Sequence, residues 1–237
     1  MKEGDILGPF FYGFDSYYIL LVVPALLLSI YAQYQVSATF QRYATIPNSR
    51  RLTGREAASQ LLRIHGIYDV TLAHTSGNLS DHFDPHKRVV RLSDATDQSY
   101  SVAAVGVAAH EIGHVIQYQQ GYLPIKLRNA ILPFAQIGSS AAIPLFLIGF
   151  ILSNALLAKV GVFLYLGVVI FQLVTLPVEL NASHRALIAL RDNGLLTQEE
   201  QPMAKKVLQA AALTYIASAL MGIAQLLRFM MLTRRRN

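Results

Sequence analysis

Within VGVAAHEIGHVIQY, residues 105–118, two histidines and a glutamate interrupt a run of small and apolar side chains: His110, Glu111 and His114. The two histidines stand four positions apart. On a helix of 3.6 residues per turn they share one face, one above the other, so both imidazoles can reach a single metal ion. Glu111, beside the first of them, can take a proton from a water held at that ion. Zinc lowers the pKa of such a water to about 7 and polarises a carbonyl, which makes hydroxide attack available at neutral pH. This is the chemistry of an H-E-x-x-H helix. The surrounding residues predict a buried helix, where three unpaired ionisable groups would be costly; a metal removes that cost.

A catalytic zinc takes three protein ligands and keeps one position open. Glu179, which opens ELNAS at the end of a long uncharged run, is the candidate third ligand, and His184 is the alternative. His82 and His86 in DHFDPHKR repeat the four-residue spacing, but Pro85 between them argues against a helix, and they read as loop residues near the cleft or as structural ones. His65 and His74 are expected on the surface or at the edge of the core, without a role.

The elements that must position these groups are membrane elements. Charged residues make up 14% of the 237 and hydrophobic residues 53%, with a mean hydropathy of +0.38. A soluble domain carries about 25% charged residues. There is no cysteine, which excludes disulfides and Cys-ligated metals. The net charge of +6 is spread along the chain without a nucleic-acid motif, so nucleic acid is not an expected partner. Residues 1–37 form an amino-terminal span around YYILLVVPALLLSIYA, and MKEGD lacks the basic start of a cleaved signal. Residues 38–128 hold most of the Arg, Asp and His and predict a small α+β region. A helix is framed there by Thr53, Glu56 and Gly66, strands by YDVTLAH and KRVVRLS, and the long metal helix runs from about Ser99 to Gln120, closed by Gly121. Residues 129–188 predict a transmembrane hairpin, with Gly138 to Ala142 as small residues for close helix contact. Residues 189–237 supply a polar connector and a fourth apolar run that spans or lies buried against the others. The expected fold is a mainly α membrane protein, three to four transmembrane helices with a small α+β zincin-like region. An even number of crossings separates the His110 helix from Glu179, so both lie on one side of the membrane.

These motifs resemble those of the YugP-like family, the neutral zinc metallopeptidases of bacterial membranes. The resemblance rests on DHFDP at 81–85, VVRLS at 89–93, AAVGVAAHEIGHVIQ at 103–117, ELNASHRAL at 179–187 and AALTYIASAL at 211–220, in that order. It implies a gluzincin, with His110, His114 and Glu179 as zinc ligands and Glu111 as general base. Related membrane proteases carry E-x-x-A-D at the third ligand, where the Asp orients a ligand histidine; here that position is Ser183. Either its hydroxyl suffices or an acid such as Asp81, Asp84 or Asp94 makes the contact. The resemblance also implies that VVRLS is an edge strand that holds substrate in extended form, against the plain alternative of a structural strand. His184 or Arg185, just after the third ligand, could stabilise the oxyanion; Arg185 serves equally as an interfacial anchor.

The expected activity is that of a cell-membrane, multi-pass zinc endopeptidase acting on membrane or membrane-proximal proteins, with peptide and lipid as partners. The alternative is a catalytically silent metal-binding membrane adaptor. A metal transporter would want ionisable groups at midplane, and the spans offer only Gln136, Gln172 and hydroxyls. Arg42, Arg50, Arg51 and Arg55 flank the first span on the catalytic side, against Lys2, Glu3 and Asp5 on the other, so the positive-inside rule predicts a cytoplasmic catalytic region. The terminal RRR opposes that orientation if the fourth run spans.

Overall fold

The computed structural model describes residues 15–234. Lys2, Glu3 and Asp5, one side of the charge asymmetry, and Arg235 and Arg236 of the terminal RRR lie outside the described residues. A π-helical turn, Tyr18–Val22, leads into α1 (Val23–Ala44). There follow α2 (Gly54–Ile64), β1 (Thr71–Thr75), β2 (His82–Asp84), β3 (Val89–Ser93), α3 (Val102–Gln119), α4 (Leu123–Ile151), α5 (Ala155–Asp192) and α6 (Gln201–Arg234). Among the described residues, four helical stretches are long and apolar enough to cross a membrane: Tyr18–Ala44, α4, α5 and α6. A bilayer core needs about 20 residues, and each exceeds that. The chain is a mainly helical membrane protein with one small sheet. The fourth apolar run, open in the sequence, is a continuous helix of 34 residues.

The described chain divides into two compact units. One comprises residues up to Tyr31, Leu127–Leu176 and Tyr215 onward; the other comprises Ala32–Lys126 and Pro177–Thr214. The first is apolar. Phe146 stacks on Phe229 with ring centroids 4.0 Å apart, and Tyr165 meets Phe229 edge-on. Gly161 lies against the backbone of Ala142 and Phe146, and Gly138 against the Leu164 carbonyl, so the small residues of the hairpin are where its backbones approach. Arg228 pairs with Asp15 at 2.8 Å, which satisfies both charges within the unit.

The second unit holds the sheet, α2 and α3. Thr53 caps α2 with a reciprocal capping box to Glu56. Gly66 and Gly121 end α2 and α3 in the left-handed region, φ +67° and +62°, where a Cβ is penalised. Leu61, Val90, Leu92, Val102, Val105, Ile112 and Leu190 form one buried core.

The sheet corrects one expectation. Its order is β1-β3-β2, so VVRLS is the central strand. β1 pairs along all five residues of β3 in parallel, and β2 pairs antiparallel with Val89, Val90 and Arg91. Both main-chain edges of β3 are therefore occupied, and the free edges belong to β1 and β2. HFD, expected in a loop, is β2. Pro85 does exclude a helix there, as reasoned, but a strand ending at Asp84 escapes its constraint.

Candidate metal centre

Helix α3 starts where the Ser101 hydroxyl accepts the N–H of Ala104 at 3.1 Å. From there it is buried almost throughout, with His110 and His114 only partly covered on one face. Gly113, inside the HEIGH motif, is where α5 comes closest: a Cβ built there would collide with the carbonyl oxygen of Ala182. Any side chain at 113 pushes α5 away, and Glu179 with it.

That approach brings three donor atoms together. Nε2 of His110 and Nε2 of His114 each lie 3.3 Å from Oε2 of Glu179. The rings are nearly perpendicular, 84°, with centroids 4.8 Å apart. All three donor atoms lie within 4.8 Å of one another and could hold a metal ion. Two observations fit the group to a divalent ion. Oε2 of Glu179 is buried without a hydrogen-bond partner despite its two imidazole neighbours, which is expensive unless a cation takes the lone pair. A tetrahedral zinc with bonds of about 2.0–2.1 Å sets its ligand atoms about 3.3 Å apart, and two nitrogens with one carboxylate oxygen form a donor set zinc accepts.

The far side of each ring is also engaged. Nδ1 of His110 meets the Ser183 hydroxyl at 3.1 Å, so Ser183 does make the contact its position suggests. Nδ1 of His114 meets Oε1 of Gln117 at 3.1 Å. Gln117 is fully buried, and its Nε2 donates to the Val178 carbonyl at 2.8 Å and to Oδ1 of Asn181 at 3.0 Å. Gln117 and Asn181 escaped the sequence reading. The available signal was a polar amide three residues after His114, on the same face of a helix otherwise apolar.

The acids named as alternatives are occupied elsewhere. Asp81 accepts the N–H and hydroxyl of Ser93 at 2.8 and 2.7 Å. Asp84 accepts the N–H groups of His86 and Lys87, which holds its pKa low, and Asp94 binds Gly77 N–H and His74, with the same effect. Glu111 is buried. Burial pushes its pKa up, the charges of His110 and His114 pull it back, and Asp81 and Glu179 add to the rise.

His184 and Arg185 are not brought to the donor cluster. At 100° per residue they turn about 140° and 120° away from the face of Glu179, whereas Ser183 lies within about 40° of it. Both line a separate recess of about 340 Å³ with His65, Gln120, Asn181 and Asn193. The Arg185 guanidinium donates to Asn181 Oδ1 at 2.6 Å and Gln120 Oε1 at 2.5 Å and lies 5.7 Å from the centre of the Tyr122 ring. A guanidinium held so is committed, which counts against the oxyanion role. His82 donates its Nδ1–H to the Ser80 carbonyl at 2.9 Å, and His65 donates its Nδ1–H to the Leu61 carbonyl at 2.8 Å.

Comparison with known proteins gives a consistent result. Residues 18–234 match the family model described as "Putative neutral zinc metallopeptidase". The "Putative membrane protease YugP" of Bacillus subtilis (strain 168) is 43% identical over 215 residues, which cover 91% of this chain and 96% of that protein. No solved structure matches the chain.

Proposed function

The chain belongs to the family of neutral zinc metallopeptidases so described, and from that premise we propose that it is an integral-membrane, zinc-dependent endopeptidase of the gluzincin type. The observation that carries the reading is the convergence of His110 Nε2, His114 Nε2 and the orphaned Glu179 Oε2, with the buried Glu111 next to the first ligand.

His110, His114 and Glu179 hold the ion. Zinc, when bound, supplies a Lewis acid that polarises a peptide carbonyl and makes water acidic enough to ionise near pH 7. Glu111 takes the proton of the attacking water and delivers it to the leaving amine. Its raised pKa suits that shuttle, because burial makes the protonated form tolerable between the two transfers. An extended substrate is better matched to β2 than to β3: β2 has a free edge, and its Phe83 packs edge-on against Tyr118 of the metal helix, centroids 5.9 Å apart. Substrates are membrane or membrane-proximal proteins, because the helix that supplies Glu179 is uncharged from Val160 to Val178 immediately before it.

The test compares parent and Glu111→Gln protein for zinc content, and their host membranes for protein cleavage. The variant is expected to keep about one zinc per chain and to lose cleavage. A variant indistinguishable from the parent in proteolysis would favour the metal-binding adaptor, and a metal-free parent under zinc-replete conditions would sink both readings.

The site-bearing side is proposed to be cytoplasmic, from the arginines flanking α1. The absence of cysteine permits a direct check. A membrane-impermeant maleimide on intact cells should label Leu152→Cys, in the exposed α4–α5 turn, and spare Asn78→Cys; the reverse pattern inverts the topology.

A further inference from the structure

We infer that Arg185, Asn181 and Gln117 form a one-directional hydrogen-bonded brace that dictates the tautomer of His114, so that its Nε2 presents a lone pair to the cluster. Arg185 is thereby a positioning residue of the centre and not a group that meets the substrate. What the lone pair is for rests on the zinc reading above; the brace itself does not.

The direction of every bond follows from two groups that cannot change role. A guanidinium only donates and a main-chain carbonyl only accepts. Arg185 Nε, 2.6 Å from Asn181, therefore fixes the facing atom of that amide as its oxygen. Arg185 is itself held by Gln120 and by the Tyr122 ring, so it does not swing away to release the constraint. Gln117 faces that oxygen at 3.0 Å and the Val178 carbonyl at 2.8 Å. Two acceptors demand a donor, so the NH₂ of Gln117 points at them and its oxygen points at His114. An oxygen at 3.1 Å from Nδ1 requires that Nδ1 carry the hydrogen. The neutral ring then has only Nε2 to offer, and Nε2 is the atom 3.3 Å from Glu179. Gln117 is fully buried, so no water competes for either end of its amide.

His110 has no such instruction. Its Nδ1 meets Ser183, a hydroxyl that donates as readily as it accepts. The two ligand histidines therefore differ: His114 is preset in the absence of metal, and His110 adapts when metal arrives.

Two measurements on the full chain in lipid nanodiscs test this. Nitrogen-15 spectra of histidine-labelled, metal-free protein, recorded at an alkaline pH at which the spectra themselves show neutral rings, should show His114, assigned by its loss in His114→Gln, as the Nδ1–H tautomer. His110 should show a mixture. Gln117→Leu should release His114 into a mixture, while Asn181→Asp, which keeps the acceptor, should preserve the parent spectrum. Zinc affinity by chelator competition should fall about ten- to a hundred-fold in Gln117→Leu, less in Asn181→Leu because Val178 still holds Gln117, and little in Asn181→Asp. Parent His114 protonated at Nε2, or Gln117→Leu with parental spectrum and affinity, would overturn the brace. A parent that binds no zinc yet shows Nδ1–H at His114 would sink the enzymatic reading and leave the brace standing.

Discussion

Helix α5 carries two chemistries in its two halves. From Val160 to Leu176 it has no charge, and its place is set by volume: Gly161 admits the backbone of Ala142 and Phe146, and Tyr165 packs on Phe229. From Pro177 to Asp192 it holds Glu179, Asn181, Ser183 and Arg185, and there position is set by which atom donates and which accepts. A volume contact tolerates exchange for a side chain of similar size. A buried donor–acceptor chain does not tolerate loss of one member, because the survivor is left unsatisfied at a cost of about 1–3 kcal/mol. The same helix should thus be forgiving in one half and intolerant in the other.

The largest expected effect breaks the chemistry that the polar half of α5 shares with α3. Glu111→Gln should lower peptide cleavage by about 10²- to 10⁴-fold with zinc content unchanged, whereas Glu179→Ala should lose zinc and cleavage together. Metal analysis beside a cleavage assay separates them; equal zinc loss in both would mean that Glu111 belongs to the ligand set. The next effect sets the two halves against each other through glycines. Gly113→Val places carbon against the Ala182 carbonyl and should cost about 1–3 kcal/mol together with zinc binding. Gly167→Ala, in the apolar half with nothing within 4 Å of the added carbon, should leave zinc binding alone and gain up to about 1 kcal/mol of helix propensity. Thermal melts in detergent measure both, and equal melting points would erase the contrast.

How far the site could be read in advance follows the same division. HEIGH, the return of Glu179 through a hairpin, the Thr53–Glu56 cap and the Gly66 and Gly121 stops are local patterns, and local spacing determines them. Strand order is not local: nothing in VVRLS says that β2 will take the edge left by β1, since pairing depends on segments that meet only in the fold. Nor does the sequence state that Gln117 faces Val178 and Asn181, 61 and 64 residues away. Arg185 was legible as a charge near the third ligand but not as a charge already engaged, because a helix turns it from Glu179 toward Asn181. The terminal apolar run was ambiguous by composition, which gives apolarity but not continuity; in the fold it is one unbroken helix from Gln201 to Arg234.

Smaller effects sharpen the comparison from the polar side. Ser183→Ala removes the hydroxyl that meets His110 Nδ1 and should weaken zinc about ten-fold, the lower end of the range for groups behind a ligand; a loss as large as that of Gln117→Leu would contradict the asymmetry between the two histidines. The smallest effect lies at the start of α6. Glu200 is buried, and its Oε1 accepts the N–H and hydroxyl of Ser49, both at 2.6 Å, while Oε2 accepts Thr197 N–H at 2.9 Å. Burial opposes its ionisation, yet the bonds from Ser49 and Thr197 prevail and hold its pKa below the ordinary glutamate value. A carboxylate whose folded pKa is depressed adds stability above the unfolded pKa, about 4.3, and that stability disappears as pH falls through it and the lower folded value. Glu200→Gln should therefore cost about 1 kcal/mol at pH 7, the scale of a lost helix cap. The gap in melting temperature between parent and variant should hold from pH 7 to about 5 and close below about 4. A gap that widens on acidification would mean that the carboxylate is not the charged acceptor its three bonds make it.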